Sequence, residues 1–327
     1  MLVNLHSHLE GCLRPSTAAE LAAESAAPEP PGGWAAALQL ARPADLTVFL
    51  AKVAAAYPFF DAVDRISRIA CEAVEDAAAD GCEYLELRFG PATHAGGSVG
   101  IDAVISAVCS GAREGERRTG LPTGLVVAAL RHHDPDLTLE VARAAARAAG
   151  EGVVGFDLAG DELLFPALEP YVEAFAIARS AGLGLTCHAA EAAPASAARS
   201  AVALLGVNRI GHGARVAQDA EVLRWAAGEG IVMEVCPTSN WLTGATPDLS
   251  SHPARTFREA GVPVVLGDDD PVTVGSRLSA ERGVLRERLG FSAADLVRLD
   301  ETSVRVAMIE ESIRARLAAR LASSGGR

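Results

Sequence analysis

Eight histidines stand in this sequence, at positions 6, 8, 94, 132, 133, 188, 212 and 252. His6 and His8 are two residues apart, and in an extended segment such residues project from one face. Two imidazoles side by side are the beginning of a metal site, although a lone His-x-His is equally at home in a surface loop. Other segments add to the pattern. His188 is followed three residues on by Glu191, His212 lies between Gly211 and Gly213, and Asp268, Asp269 and Asp270 stand in a row. Adjacent carboxylates repel one another unless a cation or a shared proton relieves them; a solvated acidic turn is the alternative. Imidazoles and a carboxylate to hold an ion, with further carboxyl groups to move protons, are the parts of metal-assisted hydrolysis.

These residues need elements to bring them together. Short apolar, β-branched runs predict strands at 2–6, 84–89, 124–130, 153–158, 183–188, 209–212, 231–236 and 262–267. Alanine-rich amphipathic stretches between them predict helices, among them 17–23, 64–79, 137–149, 170–181, 217–227 and 254–260. Thr17 with Glu20, and Ser292 with Asp295, have capping-box spacing. Gly150, Gly182, Gly230 and Gly261 end helical stretches ahead of the next strand. Strand–helix alternation means parallel strands with helical crossovers. Eight such units in 327 residues predict an α/β fold, a single (β/α)8 TIM barrel spanning residues 1–327; a doubly wound sheet is the rival. In a barrel, strand C-termini build the site, and His6 with His8, His188, His212 and Asp268–Asp270 all fall at such ends. Residues 24–60 read as a loop and helix insertion near the pocket mouth, with Leu46–Phe60 covering it. Residues 323–327 read as a disordered tail.

Composition narrows the partners. The formal net charge is −13, with 29 basic and 42 acidic residues, which argues against nucleic acid or an anionic membrane as the main partner. Six dispersed cysteines without a CxxC pair read as buried or free thiols of a reducing compartment. The start carries no basic-then-apolar signal segment, and no apolar run approaches the roughly 18 residues of a membrane span. The expectation is a soluble cytoplasmic protein acting on a small molecule; its oligomeric state stays open.

The residues then resemble a known group. His6-Ser7-His8-Leu9-Glu10-Gly11, Asp157-Leu158-Ala159-Gly160-Asp161-Glu162, His188-Ala189-Ala190-Glu191, Arg209-Ile210-Gly211-His212-Gly213, Glu234-Val235-Cys236-Pro237-Thr238-Ser239-Asn240 and Asp269-Asp270-Pro271 resemble, in order, the motifs of the adenosine deaminase family of metal-dependent hydrolases. The resemblance implies one zinc ion per chain on His6, His8, His188 and Asp269, which activates water. It implies that Glu191 protonates purine N1 while C6 is attacked, that His212 orients the water and steadies developing charge, and that Asp269 takes the water's proton. Gly160 would offer its N–H to N3 and Asp270 would contact N7.

Two positions depart from the family's pattern. Ala190 stands where glycine is frequent, and Asp268 stands where threonine or serine is; Asp268 either adds charge beside a ligand or points outward to solvent. Glu10, where adenosine-specific members usually carry aspartate, resembles members acting on adenine or on larger adenosine-like nucleosides such as aminodeoxyfutalosine. Glu86-Leu87-Arg88-Phe89 resembles nucleoside-acting members. The implied function is hydrolytic deamination of a 6-aminopurine nucleoside. Adenine, or an amide or ester, are alternative substrates, and non-catalytic binding is a third reading. Arg14 and Arg131 are candidates for a substrate carboxylate or, more simply, supporting arginines. His94, His132, His133 and His252 read as structural or surface residues, with His132 near the pocket edge. Gly150–Gly155 matches GxGxxG but precedes a strand, so the dinucleotide reading fails in context.

Overall fold

The computed structural model describes residues 1–97 and 99–324. Eight strands alternate with helices: β1 Val3–His8, β2 Tyr84–Phe89, β3 Thr123–Leu130, β4 Val153–Ala159, β5 Gly184–Ala189, β6 Arg209–His212, β7 Val232–Val235 and β8 Val264–Leu266. Each pairs in parallel with the next in sequence, giving the order β1 to β8. The seam between first and last is closed by a parallel bridge between Ser7 and Asp269. There His8 N–H donates to the Asp269 carbonyl at 2.6 Å and Asp269 N–H to that of His6 at 2.9 Å. A doubly wound sheet is thereby excluded, and the chain is a (β/α)8 barrel.

All eight strands lie within two residues of the sequence-derived bounds at each end, as expected for apolar runs buried on both faces. The helix over Ile101–Thr119 lies outside the helices read from sequence. Its Gly111 and Gly115 look like loop signals, yet they serve packing. A methyl group at Gly111 would sit 2.0 Å from the Ser67 carbonyl oxygen, and one at Gly115 would sit 2.6 Å from Val74 Cβ. The helix Val63–Ala79 can approach only because those side chains are missing.

The capping box at Ser292 and Asp295 is present, with both reciprocal bonds. The one expected at Thr17 is not: the helix begins at Pro15, and Thr17 donates instead to Glu72 at 2.6 Å. Pro at the first helical turn needs no donor and sets the boundary two residues early. The expected tail also needs correction. The helix Glu311–Ser324 continues through 323 and 324, packing Leu317 beneath the barrel with Val3, Leu5, Val265 and Val304; positions 325–327 lie outside the described residues. No helix among the described residues is long and apolar enough to cross a membrane.

Between β1 and β2 run the helices Pro15–Glu24, Gly33–Leu38 and Leu46–Ala54 and a 3-10 turn, Tyr57–Phe59, the last three within the segment read as an insertion. Phe49, Val53 and Leu40 pack there on Leu242 and Val274, fixing Leu46–Ala54 across the open end of the barrel.

Closure of the seam depends on Gly267, where a methyl group would lie 2.4 Å from His6 Cβ and 2.5 Å from its carbonyl oxygen. Neither atom can yield without moving β1. Gly267→Ala is expected to lower unfolding free energy by about 1–3 kcal/mol, read as a reduced urea midpoint at unchanged slope.

Candidate active site

Strand ends carry the reactive groups. His6 and His8 lie on β1, His188 on β5 and His212 closes β6, while Asp269 follows β8. Among the described residues, four that are not glycine have left-handed backbone, and three are here: Ala190 (φ 56°), His212 (φ 61°) and Asp269 (φ 61°). Such conformations persist where surrounding structure over-determines them, and they cluster at functional sites.

His6, His8, His188 and Asp269 each present one ligand atom, all within 4.8 Å of one another. His8 Nε2 lies 3.3 Å from His6 Nε2 and 3.2 Å from His188 Nε2. Asp269 Oδ1 is 3.3 Å from both His6 Nε2 and His8 Nε2. Ligand atoms about 2.0–2.1 Å from a tetrahedral zinc ion are about 3.3–3.4 Å apart. The chemistry of the donors agrees. His6 donates Nδ1–H to Glu234 at 2.7 Å and His188 donates Nδ1–H to Asp157 at 3.0 Å. Their Nε2 lone pairs are therefore left bare and aimed at one centre, an arrangement that calls for a cation.

Beneath the cluster lies a buried ionic layer. Arg88 bonds Asp157 at 3.0 Å and Glu234 at 2.9 Å. Arg209 bonds Glu234 and Glu86, both at 2.7 Å, and Thr186 donates to Glu234 at 2.7 Å. Burial alone would raise Glu234, but Arg209, Arg88 and His6 outweigh it and hold it well below the carboxylate range.

Glu191 has the opposite environment. Burial, then the Asp269 and Glu162 charges, push its carboxyl up to about 8, so it is protonated at neutral pH. Thr243 donates to its Oε1 at 3.2 Å. Its loop is gripped by Glu162, whose carboxylate accepts the N–H groups of Ala190 at 2.9 Å, Ala192 at 2.5 Å and Ala193 at 2.8 Å. Asp270 is also raised well above the ordinary range, by burial and then by Asp269 and Glu10, and its buried Oδ1 has no protein partner.

The sequence-derived residues converge. His8, Glu10, Gly160, His188, Glu191, His212, Asp269 and Asp270 line one cavity of about 360 Å³, and the fully buried His6 presents its Nε2 3.3 Å from that of His8. That volume lies at the lower end of small-molecule sites. Leu46, Phe49, Leu50, Val53, Leu130, Leu164 and Phe165 form its outer wall, and His132 is at the rim. Two expectations change. Asp268 does not face solvent: it is buried, and burial pushes its carboxyl up to about 7. His94 is no bystander: it hydrogen-bonds Glu10 Oε1 at 2.9 Å beside the Gly90 N–H, also 2.9 Å. Arg14 pairs with Asp76 at 2.9 Å, and Arg131 donates to the His188 carbonyl at 2.9 Å. Both are supporting arginines, and no Arg or Lys among the described residues lines the cavity.

Sequence reasoning gave no role to Arg88, Asp157, Glu162, Glu234 or Asn240. Three of these stand inside predicted strands, and an ionisable residue inside an otherwise apolar parallel strand is itself a signal, because its burial requires partners.

A barrel that gathers three histidines and an aspartate at its strand ends, opposite the carboxyl of Glu191, has the parts of a hydrolase site. The sequence matches the adenosine deaminase family over residues 2–324, and the chain belongs to that family as one of its deaminases. It is 38% identical over 238 residues to an adenine deaminase of Rhizobium leguminosarum bv. trifolii, covering 73% of this chain and 74% of that one. It is 35% identical over 318 residues to an adenosine deaminase of Shewanella loihica, covering 96% of each. An amidohydrolase structure from Burkholderia ambifaria, described with bound Zn, superposes with a TM-score of 0.88 at 26% identity, covering 99% of this chain and 90% of that one.

Because Glu234 orients a cluster imidazole, Glu234→Gln is expected to weaken binding of a divalent metal at this cluster by about 10–100-fold, read with added zinc by competition with a chromophoric chelator.

Proposed function

We propose that this protein deaminates a 6-aminopurine nucleoside, adenosine or an adenosine-like nucleoside, hydrolytically: nucleoside and water give the 6-oxopurine nucleoside and ammonia. One zinc ion would be held by His6, His8, His188 and Asp269. The observation that carries the reading is Glu191, a carboxyl kept protonated near neutrality on the wall of a cavity whose floor is a cation site.

When bound, the ion lowers the pKa of water to about 7 and so supplies a nucleophile at neutral pH. The chain's own residues do the rest. Glu191 gives its proton to purine N1, which makes C6 electrophilic. Asp269 takes the proton of the attacking water, and His212 bonds the oxygen as charge develops. Asp270, whose carboxyl burial favours in the neutral form and whose Oδ1 has no protein partner, meets N7, and the Gly160 backbone meets N3. Gly160 has φ 105°, a conformation that lets bare backbone reach the purine edge.

Leu46, Phe49, Leu50 and Leu164 line the same cavity, an apolar surface suited to a substituent on the base, and on that ground we favour a nucleoside. Any carboxylate on a larger nucleoside would lie outward at the mouth, since neither Arg14 nor Arg131 reaches inside. Adenine is the second reading, supported by the Rhizobium relative at 38% identity. Membership of a deaminase family sets amide or ester hydrolysis aside. The proposed partner is a small molecule, not nucleic acid or membrane, and the proposed setting is the cytoplasm.

The deciding assay is ammonia release across adenosine, 2′-deoxyadenosine, aminodeoxyfutalosine and adenine. Nucleoside turnover is expected to exceed that of adenine; preference for the free base overturns the nucleoside assignment, and silence on all four overturns deamination. Glu191→Gln should lose about 10²–10⁴-fold in kcat while keeping its zinc. Because the active form of Glu191 is protonated, wild-type kcat/KM should decline as pH rises through about 8, a limb the variant lacks.

A further inference from the structure

His212 has two ring nitrogens, and the one bearing hydrogen decides whether it offers the cavity a donor or an acceptor. Three buried residues settle this from the backbone outward. The Ala254 N–H donates to His252 Nδ1 at 3.1 Å. A backbone N–H cannot act in reverse, so a neutral His252 carries its hydrogen on Nε2. His252 Nε2 lies 3.0 Å from Asn240 Oδ1, which must accept. The amide orientation follows: Asn240 Nδ2 faces His212 Nδ1 at 3.0 Å, and an amide nitrogen only donates. His212 therefore accepts at Nδ1 and bears its hydrogen on Nε2.

The chain is continuous only if both rings are neutral. Burial holds His252 down to about 3, and a His212 Nδ1 that accepts from the Asn240 amide carries no hydrogen, which leaves that ring neutral as well. His252 and Asn240 are both buried, so water does not compete for these bonds. His212 Nε2 faces the reaction side, 3.8 Å from Glu191 Oε2. Its ring centroid is 4.8 Å from that of His6 and 5.1 Å from that of His188.

We propose that His252 and Asn240 are positioning residues that lock His212 as the Nε2–H tautomer, a hydrogen-bond donor toward the reacting oxygen and not the group that takes the water's proton. The kinetic consequence rests on the deamination reading; the tautomer does not.

The test joins nitrogen NMR of the ¹⁵N-histidine-labelled, zinc-loaded full chain with kinetics on adenosine. In wild type, His212 should show Nε2 as the hydrogen-bearing nitrogen and Nδ1 as the bare one. Asn240→Asp keeps the shape but offers only acceptor oxygens, so the hydrogen should transfer to Nδ1. Holding a catalytic histidine in the wrong tautomer costs up to about 10⁴-fold, and a kcat loss of about 10²–10⁴-fold is expected at unchanged zinc affinity. His252→Gln, which retains a donor, should preserve tautomer and most of kcat; His252→Phe should give mixed tautomers and an intermediate kcat. Hydrogen on Nδ1 in wild type overturns the proposal. So does unchanged tautomer and kcat in Asn240→Asp, or a kcat loss that only tracks lost zinc. Should Asn240→Asp not fold, the two His252 variants decide. If wild type deaminates nothing, the reading of the reaction fails while the spectra still decide the tautomer.

Discussion

Arg88 stands between two carboxylates at the centre of the barrel, bonded to Asp157 and to Glu234, with all three side chains removed from water. Each carboxylate in turn holds Nδ1 of one cluster imidazole, Glu234 that of His6 and Asp157 that of His188. One guanidinium thus fixes the aim of two histidines contributed by strands far apart in the chain. Burying such charges is costly unless every one is paired, and Arg209, Glu86 and Thr186 complete the pairing. A charged layer where a barrel normally places branched apolar side chains is what allows the site above it to exist.

The same barrel keeps two glutamates in opposite protonation states. Glu234 is surrounded by guanidinium groups and stays ionised, while Glu191 faces other carboxylates across a buried wall and keeps its proton. Environment, not residue type, divides the roles of ligand support and proton donor. The loops that carry the second set are shaped by local devices: Glu162 gathers three backbone N–H groups, and Ala190, His212 and Asp269 adopt left-handed turns that point their neighbours inward.

Much of this was legible in the chain. The strands were readable because most are short apolar runs, four of them preceded by a glycine that ends a helix, and strand-end histidines and aspartates marked the C-terminal face. Where the reading missed, nonlocal packing was responsible. Gly111 and Gly115 look like helix breakers until the neighbouring helix is seen against them. Thr17 has the spacing of a cap but finds Glu72, 55 positions further along the chain. Asp268 looks like part of a solvated acidic turn, yet the seam between β1 and β8 folds over it.

What the sequence by itself determined is the inventory: eight strand–helix units, the order of six motifs, and the types of group available to bind an ion and move protons. These are local properties, set by periodicity and side-chain chemistry. Only the tertiary structure decided which nitrogen of each imidazole faces inward, which glutamate keeps its proton, and that His94, Asn240 and His252 belong to the site. Those outcomes depend on burial and on hydrogen-bond partners contributed by distant segments, and neither exists until the barrel closes.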